Sequence, residues 1–252
     1  MSKAYLKRFF VFIILLGSCS SYAQWFPQNS NTNSYLNSVF FINPTIGWAC
    51  GFEMVLKTTD CGNTWTNAFL FGNHKSIYFI GENNGFICGD NGRVYKTING
   101  GQNWMLVSSG VTSNLNQISF LNESFGIIAG NNNTILKSTD YGVSWYNTVN
   151  INSTLDFLSA KILDNNILIA SGTESSIYKS TSSGNFWDTL SFGMPNPLLT
   201  IEFINENTGW VSGCCGMFMK TTNAGNLWTP EIYLTPGFTI HSMNFLNENS
   251  GW

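Results

Sequence analysis

The segment Thr58-Thr59-Asp60-Cys61-Gly62-Asn63-Thr64-Trp65 sets a pattern that recurs four more times along the chain. The pattern is Ser or Thr, any residue, a short polar residue, any residue, Gly, two further residues and Trp. The copies end at Trp65, Trp104, Trp145, Trp187 and Trp228, so the period is 39, 41, 42 and 41 residues. A period of about forty residues is typical of solenoids and β-propellers.

Each position of the pattern has a structural use. The third side chain can hydrogen-bond the backbone two residues on, and the glycine allows a positive φ without a steric clash. The tryptophan covers the turn and opens the next strand. The third positions are Asp60, Asn99, Asp140, Ser182 and Asn223, and the glycines are Gly62, Gly101, Gly142, Gly184 and Gly225. Because three copies have no Asp at the third position, we interpret these segments as structural turns rather than catalytic sites.

The remainder of each period reads as four short strands. In the second repeat, strand-like runs at residues 77–79, 85–89 and 94–96 precede the turn, and a fourth run follows Trp104. No sustained 3.6-residue apolar period occurs beyond the first twenty residues. The sequence therefore predicts an all-β propeller of four-stranded blades, with five complete repeats and a partial sixth.

The two ends of the repeat array raise separate expectations. Residues 243–252 repeat the pattern of residues 201–210 and then stop at Trp252. Either the sequence is a piece of a longer protein with at least six blades, which we favour, or the last blade has an open edge. Trp25 lies 16 residues before Phe41, as Trp104 does before Phe120. We expect Trp25 to begin an outer strand that closes the ring.

The first 23 residues have the form of a secretory signal peptide. Lys3, Lys7 and Arg8 precede an apolar run, and Ala23 ends a small-residue cleavage site. In an alternative interpretation, Cys19 is the lipidated residue of a bacterial lipobox. Both alternatives place the mature chain outside the cytoplasm, secreted, periplasmic or at the cell surface, with residues 24–252 forming the propeller.

Composition excludes several classes of partner. Charged residues make up 10% of the chain and the net charge is −3, so there is no electrostatic case for nucleic acid. No basic cluster indicates binding to a membrane surface. Membrane association is expected only through lipidation at Cys19.

The cysteines do not define a site. Cys50 and Cys88 occupy the same place in neighbouring repeats, where small buried residues are expected, and a disulfide between them is an alternative. Cys61 lies in a turn segment, and Cys214 and Cys215 are adjacent in sequence. No spacing typical of a zinc site is present, so we expect no metal or other cofactor.

Few residues are candidates for catalysis. Glu53, Asp90 and Glu174 fall between second and third strands and either face one mouth of the ring or lie at solvated hairpin tips. His74 and His241 have no acidic or cysteine partner nearby in sequence, and we expect both to face solvent.

A lysine directly precedes each turn segment. The set is Lys57, Lys96, Lys137, Lys179 and Lys220. We expect each aliphatic stem to pack on a Trp face while the ammonium group reaches water. The alternative is a positive rim that docks an acidic partner.

The turn pattern resembles the Asp-box of BNR-type β-propellers. Residues 47–65 and 209–228 are most similar to the photosystem II stability/assembly factor-like propellers, with Gly-Trp-x-x-Gly followed by a Lys-Thr-Thr run and the box. This resemblance implies a protein-binding role, although the arginine-rich patch of the photosynthetic members has no counterpart here. Asp-box sialidases grip a carboxylate with three arginines, and beyond the signal peptide this chain has only Arg93.

We therefore expect an exported, non-catalytic propeller that binds a protein or a cell-surface macromolecule. One alternative is a carbohydrate-active propeller, either a glycoside hydrolase or a lectin. The other is a structural repeat module of a longer adhesin.

Overall fold

A computed structural model of the chain describes residues 27–149, 155–192, 196–231 and 237–252. Regular structure in these ranges consists of β-strands and two short 3-10 segments, Asp90–Gly92 and Thr173–Ser175, which confirms the all-β class. The proposed signal peptide, Cys19 and Trp25 lie outside the described residues.

The strands follow one another along the chain with short turns between them. They are β1 (Leu36–Phe41), β2 (Gly47–Thr58), β3 (Thr66–Ile80), β4 (Asn84–Gly89), β5 (Val94–Thr97), β6 (Met105–Val107), β7 (Leu115–Phe120), β8 (Gly126–Gly130), β9 (Thr134–Ser138), β10 (Tyr146–Asn147), β11 (Phe157–Ile162), β12 (Leu168–Gly172), β13 (Ser176–Ser180), β14 (Asp188–Ser191), β15 (Leu198–Phe203), β16 (Gly209–Gly213), β17 (Phe218–Thr221), β18 (Thr229–Pro230), β19 (Phe245–Asn247) and β20 (Ser250–Gly251).

The third repeat shows the basic folding unit. Strands β7 to β10 form a four-stranded antiparallel sheet in which each strand pairs with its neighbour in sequence. β8, with the sequence Gly-Ile-Ile-Ala-Gly, is buried along its whole length. Both faces of the sheet are covered by other repeats, which explains an uninterrupted run of small and apolar residues. Strands β11 to β14 and β15 to β18 form two further sheets of the same order.

The first two repeats share one six-stranded sheet because β2 and β3 are long, continuous strands that each pair with two neighbours. β2 pairs with β1 through residues 47–51 and with β3 through residues 52–57. β3 in turn pairs with β4 through residues 74–80. The same strand is therefore the outer strand of the first repeat and the inner strand of the second.

The hydrophobic core is divided among the junctions between repeats. At the junction of the second and third repeats, Phe86 and Val94 pack against Leu115, Ile118 and Phe120. Three similar clusters lie at the other junctions of successive repeats from the first to the fifth. In each case the second and third strands of one repeat cover the first strand of the next.

A glycine at the start of the second strand makes room for an aromatic ring. A Cβ on Gly126 would lie 2.4 Å from Phe120, and a Cβ on Gly85 would lie 2.4 Å from Phe79. The ring can lie flat over the sheet only because no side chain is present at that glycine.

The sixth repeat begins as the others do. Phe245 stacks on Trp210 with ring centroids 3.9 Å apart, as Phe79 stacks on Trp48 at 3.5 Å. The first strand of this repeat therefore packs on the fifth repeat. The number of blades in the whole ring stays a prediction.

Candidate functional site

The five turn segments share one hydrogen-bond pattern. In the first, the hydroxyl of Thr58 donates to Asp60 at 2.8 Å and accepts from the backbone N–H of Gly62 at 3.0 Å. The carboxylate of Asp60 accepts from the backbone N–H of Thr64 at 2.8 Å. The expectation that the third side chain of each turn segment bonds the backbone two residues on is wrong. This side chain accepts from the backbone N–H four residues on. The wider loop arises because two residues in succession adopt positive φ.

These two positive φ values recur in every turn segment. In the third segment, φ is 62° at Tyr141 and 66° at Gly142. The paired residues elsewhere are Cys61 and Gly62, Gly100 and Gly101, Ser183 and Gly184, and Ala224 and Gly225. Trp65 lies over its glycine, with ring atoms 3.6 Å from where a Cβ on Gly62 would be.

The carboxylates of Asp60 and Asp140 act as hydrogen-bond acceptors rather than as proton donors. Burial raises the pKa of Asp140, but hydrogen bonds from Ser144, Ser138 and Val143 outweigh burial and lower the pKa to about 2. The pKa of Asp60 is lowered as well, chiefly by the hydroxyl of Thr64. Both groups are therefore ionised at neutral pH and hold the turn, a state unsuited to proton donation.

The repeated lysines join one repeat to the next. Lys137 Nζ donates to the carbonyl of Ser183 at 2.7 Å, in the turn segment of the following repeat, and lies 5.3 Å from the ring of Phe125. Three others donate to equivalent carbonyls: Lys57 to Gly100 at 2.9 Å, Lys96 to Tyr141 at 2.6 Å and Lys179 to Ala224 at 2.7 Å. Lys220 lies 3.4 Å from the carboxylate of Glu248.

Four of the five lysines stay partly exposed while they make these contacts, and only Lys137 is buried. Lys57 and Lys220 lie over the rings of Trp48 and Trp210, as expected for stems packed on Trp faces. Burial lowers the pKa of Lys96 and of Lys179, as expected for ammonium groups held against protein atoms. The geometry favours the structural role, and a docking role for this set stays a prediction.

Equivalent polar side chains of successive repeats surround a small cavity where the first strands meet. Its volume is about 180 Å³, and residues from six repeats line it. Four of these side chains accept a backbone N–H from the first strand of the next repeat: Ser38 from Ile77 at 3.3 Å, Ser76 from Ile118 at 3.2 Å, Gln117 from Ala160 at 2.6 Å and Ser159 from Ile201 at 3.1 Å. They satisfy edge N–H groups that the sheets leave unpaired. The sequence signal for this set is the polar residue directly before the aliphatic residue of each first strand.

The candidate acids and histidines lie in different surroundings. Asp90 is 3.1 Å from Lys75 Nζ, which also donates to Asn116 at the cavity, so this acid holds a lysine of the cavity wall. Glu53 and Glu174 lie at hairpin tips with φ of 55° and 62°.

His74 was expected to face solvent, and this was wrong. Its side chain is buried against Tyr95, and its Nε2 is 2.9 Å from the carbonyl of Leu70. Burial lowers its pKa. His241 is exposed, as expected.

The described residues contain no cluster of three or more His, Cys, Asp or Glu side chains that could hold a metal ion. Cys50 and Cys88 are buried free thiols, and burial raises the pKa of both. Cys61, Cys214 and Cys215 are also free. Across the described ranges, no helix has the length and apolar character to cross a membrane.

A wide groove between the second and third repeats holds the single arginine beyond the proposed signal peptide. The groove has a volume of about 820 Å³, and its lining includes Arg93, Leu106, Asn132 and the loop of residues 108–113. The Arg93 guanidinium lies over the ring of Phe71, at 4.8 Å from the centroid. Among the described residues, no carboxylate lies within 4.0 Å of it. The sequence shows Arg93 only as an isolated arginine, because its ring and groove partners are distant along the chain.

Three comparisons bear on this arrangement, and no family model matches the chain. The chain is 33% identical over 105 residues to the chloroplastic photosystem II stability/assembly factor HCF136 of Oryza sativa subsp. japonica. That match covers 37% of this chain and 25% of the rice protein, so it spans a quarter of that relative's length.

Solved structures share the fold. YCF48 from Cyanidioschyzon merolae aligns at 13% identity with a TM-score of 0.65, covering 87% of this chain and 92% of that one. The GH74 enzyme of Niastella koreensis aligns at 20% identity with a TM-score of 0.64, covering 78% of this chain and 38% of that one. The chain therefore has a β-propeller fold. Over 105 residues its sequence is similar to that of the rice photosystem II stability/assembly factor, and GH74 enzymes also share its fold.

Proposed function

We propose that the chain is an exported, non-catalytic β-propeller that binds an extended segment of another protein in the groove around Arg93. The observation that carries this proposal is the guanidinium itself. It lies on an aromatic face in a groove of about 820 Å³ and has no carboxylate partner among the described residues. A planar guanidinium pairs well with a carboxylate, and stacking on a ring fixes its plane.

Two further features favour a polypeptide ligand. β6 is the outermost strand of its sheet, so one of its backbone edges is unpaired within that sheet and can accept an added strand. Leu106, on that strand, is exposed at the groove and offers an apolar contact. The rice relative is by name an assembly factor, a role that requires binding to other proteins.

The proposal is tested by capturing partners from envelope extracts of the native host and comparing variants by quantitative mass spectrometry. Arg93→Ala and Leu106→Asn should reduce recovery of a specific partner at least tenfold. Leu190→Asn changes an exposed leucine of β14 outside the groove and should leave recovery unchanged. Equal recovery with all three variants would refute the groove as the binding site.

A carbohydrate ligand is the second candidate, and the amide lining of the groove favours it. Asn91, Asn132 and Asn147 line the groove together with Thr134. Amide groups are suited to sugar hydroxyls, and GH74 enzymes share the fold. Isothermal titration with xyloglucan oligosaccharides, and an assay for new reducing ends, distinguish a lectin, an enzyme and a protein-binding propeller.

Export is a separate part of the proposal, supported by the form of residues 1–23. The mass of the mature protein from its native host tests it. A chain that begins at Gln24 supports cleavage after Ala23, and an acylated chain that begins at Cys19 supports lipidation. A cytoplasmic chain that begins at Met1 would contradict export.

A further inference from the structure

A second cavity lies between the second and third repeats, at the end of the sheets that carries the turn segments. Its volume is about 230 Å³. Apolar side chains form one part of its lining and polar side chains the other. The apolar part is Ile80, Phe86 and Tyr141, and the polar part is Asn84, Lys96 and Glu123.

The residue directly before the glycine or leucine that begins the second full-width strand pair differs in the second repeat. Ile46, Phe125 and Ile167 occupy this position in the first, third and fourth repeats and pack into the cores of their junctions. In the second repeat the position holds Asn84, which lines the cavity instead. Across the described ranges its side-chain amide makes no hydrogen bond. The junction is therefore left unfilled at the place where other repeats put a large apolar side chain.

The fourth position of the turn segment differs in the third repeat. Gly100, Ser183 and Ala224 occupy it in the second, fourth and fifth repeats, and the same turn forms with these small residues. Tyr141 takes their place in the third repeat, is 57% exposed and lines the cavity. The turn does not need this ring. A smaller residue at Asn84 and a larger one at Tyr141 thus meet at one cavity, which indicates a ligand site rather than a packing defect.

The polar groups of this cavity favour a ligand that donates a hydrogen bond. Glu123 has no ion-pair partner among the described residues, whereas Glu248, at the equivalent position, lies 3.4 Å from Lys220. Lys96 is already engaged, because its Nζ donates to the carbonyl of Tyr141 at 2.6 Å. A concave site with aromatic and aliphatic walls and few polar groups is suited to a single ring with one polar substituent.

We propose that this cavity binds one phenolic ring, carried by a small free compound or by a tyrosine side chain of a partner. The ring packs against Ile80, Phe86 and Tyr141, and its hydroxyl donates to the carboxylate of Glu123. This inference does not depend on binding in the Arg93 groove. Arg93 directly precedes β5, whereas the cavity lies at the other end of that strand.

The test is a titration of the methyl-labelled protein, followed by NMR at the Ile80 methyl group. p-Cresol should shift this signal to saturation. Toluene, which has the same shape without the hydroxyl, should bind about tenfold more weakly or worse, because it leaves Glu123 without a donor. N-acetyltyrosinamide distinguishes the two sources: saturable binding of both phenols indicates a tyrosine side chain, and binding of p-cresol alone indicates a small free compound.

Asn84→Ile fills the cavity with the residue that the first and fourth repeats carry at the same position. It should weaken p-cresol binding about tenfold or more, since the ring loses its space, while the urea midpoint is kept or raised. Thr208→Ile makes the same change at the equivalent position of the fifth repeat and should leave the affinity unchanged.

Tyr141→Ala tests the proposal independently of how Asn84→Ile folds, because Ala224 shows that the turn forms with alanine at this position. It removes one wall of the cavity and should also weaken p-cresol binding. Three results would overturn the proposal. They are no saturable shift with either phenol, equal affinity for p-cresol and toluene, and unchanged p-cresol affinity in both cavity variants.

Discussion

Gly142 is held by two independent constraints, one from its own backbone and one from the neighbouring repeat. Its φ is 66°, and a Cβ there would lie 2.3 Å from the ring of Phe86. Gly142→Ala should therefore lower the free energy of unfolding by about 2–5 kcal/mol, the sum of a left-handed backbone penalty and overpacking. Urea unfolding measures the change.

Gly81 provides the matched control for this prediction. Its φ is 81°, but a Cβ there would have no atom within 4 Å. Gly81→Ala should cost only the backbone penalty, about 1–2 kcal/mol. If the two variants lose the same stability, the contact with Phe86 has no energetic role.

His74 makes stability depend on pH. Burial lowers its pKa in the folded chain below the ordinary value of 6.5, the nearby Asp90 opposes this shift, and Arg93 adds to it. The unfolded chain therefore binds a proton at a pH where the folded chain does not. This contribution to stability is present above about pH 6.5 and is lost as the pH falls from there toward the folded pKa.

His74→Leu should remove that loss because leucine does not titrate. Leucine also fits this position, since Leu115 and Leu198 occupy it in other repeats and are buried. Urea midpoints measured from pH 7.5 to 5 should fall more steeply for the natural chain than for this variant. His241→Leu changes an exposed histidine and should keep the steep dependence. Identical slopes for all three proteins would exclude His74 as the cause.

Lys137 connects two elements, the end of β9 and the turn segment of the fourth repeat. Its side chain is buried, and its ammonium group donates to the carbonyl of Ser183 at 2.7 Å. Lys137→Met keeps the apolar stem but leaves that carbonyl without its charged donor. The free energy of unfolding should fall by about 1.5–3 kcal/mol.

Lys220→Met is the control at the equivalent position of the fifth repeat. Lys220 contacts the more exposed Glu248 at 3.4 Å, and exposed ion pairs contribute about 0–1 kcal/mol. A larger loss for Lys220→Met than for Lys137→Met would show that the turn carbonyl is not the important partner.

At the scale of elements, local residues predicted the turn segments and most strands, but they could not predict contacts between repeats. Gly142 and Trp145 define a turn by their own chemistry, since positive φ and turn covering are local properties. The burial of His74 depends on the packing of Tyr95, which no neighbour in sequence reveals. Arg93 likewise acquires its setting from Phe71, on a different strand.

At the scale of the molecule, the cores lie at the junctions, so the stability of each repeat depends on its neighbours. The third repeat has a neighbour on both sides, and β8 and β9 are buried throughout. The first repeat exposes Val39, and β20 is exposed at the other end of the array. Arrays of this kind open first where a repeat has fewest neighbours.

Hydrogen exchange of the chain of residues 1–252, followed by mass spectrometry, should therefore show a gradient. Amides of β1 and of β19–β20 should exchange first, and those of β8 and β9 should exchange last, because opening the central sheet exposes apolar residues at two junctions instead of one. Uniform exchange across all repeats would mean that the ring opens as one cooperative unit. In that case the exposed face of the first repeat would not limit stability.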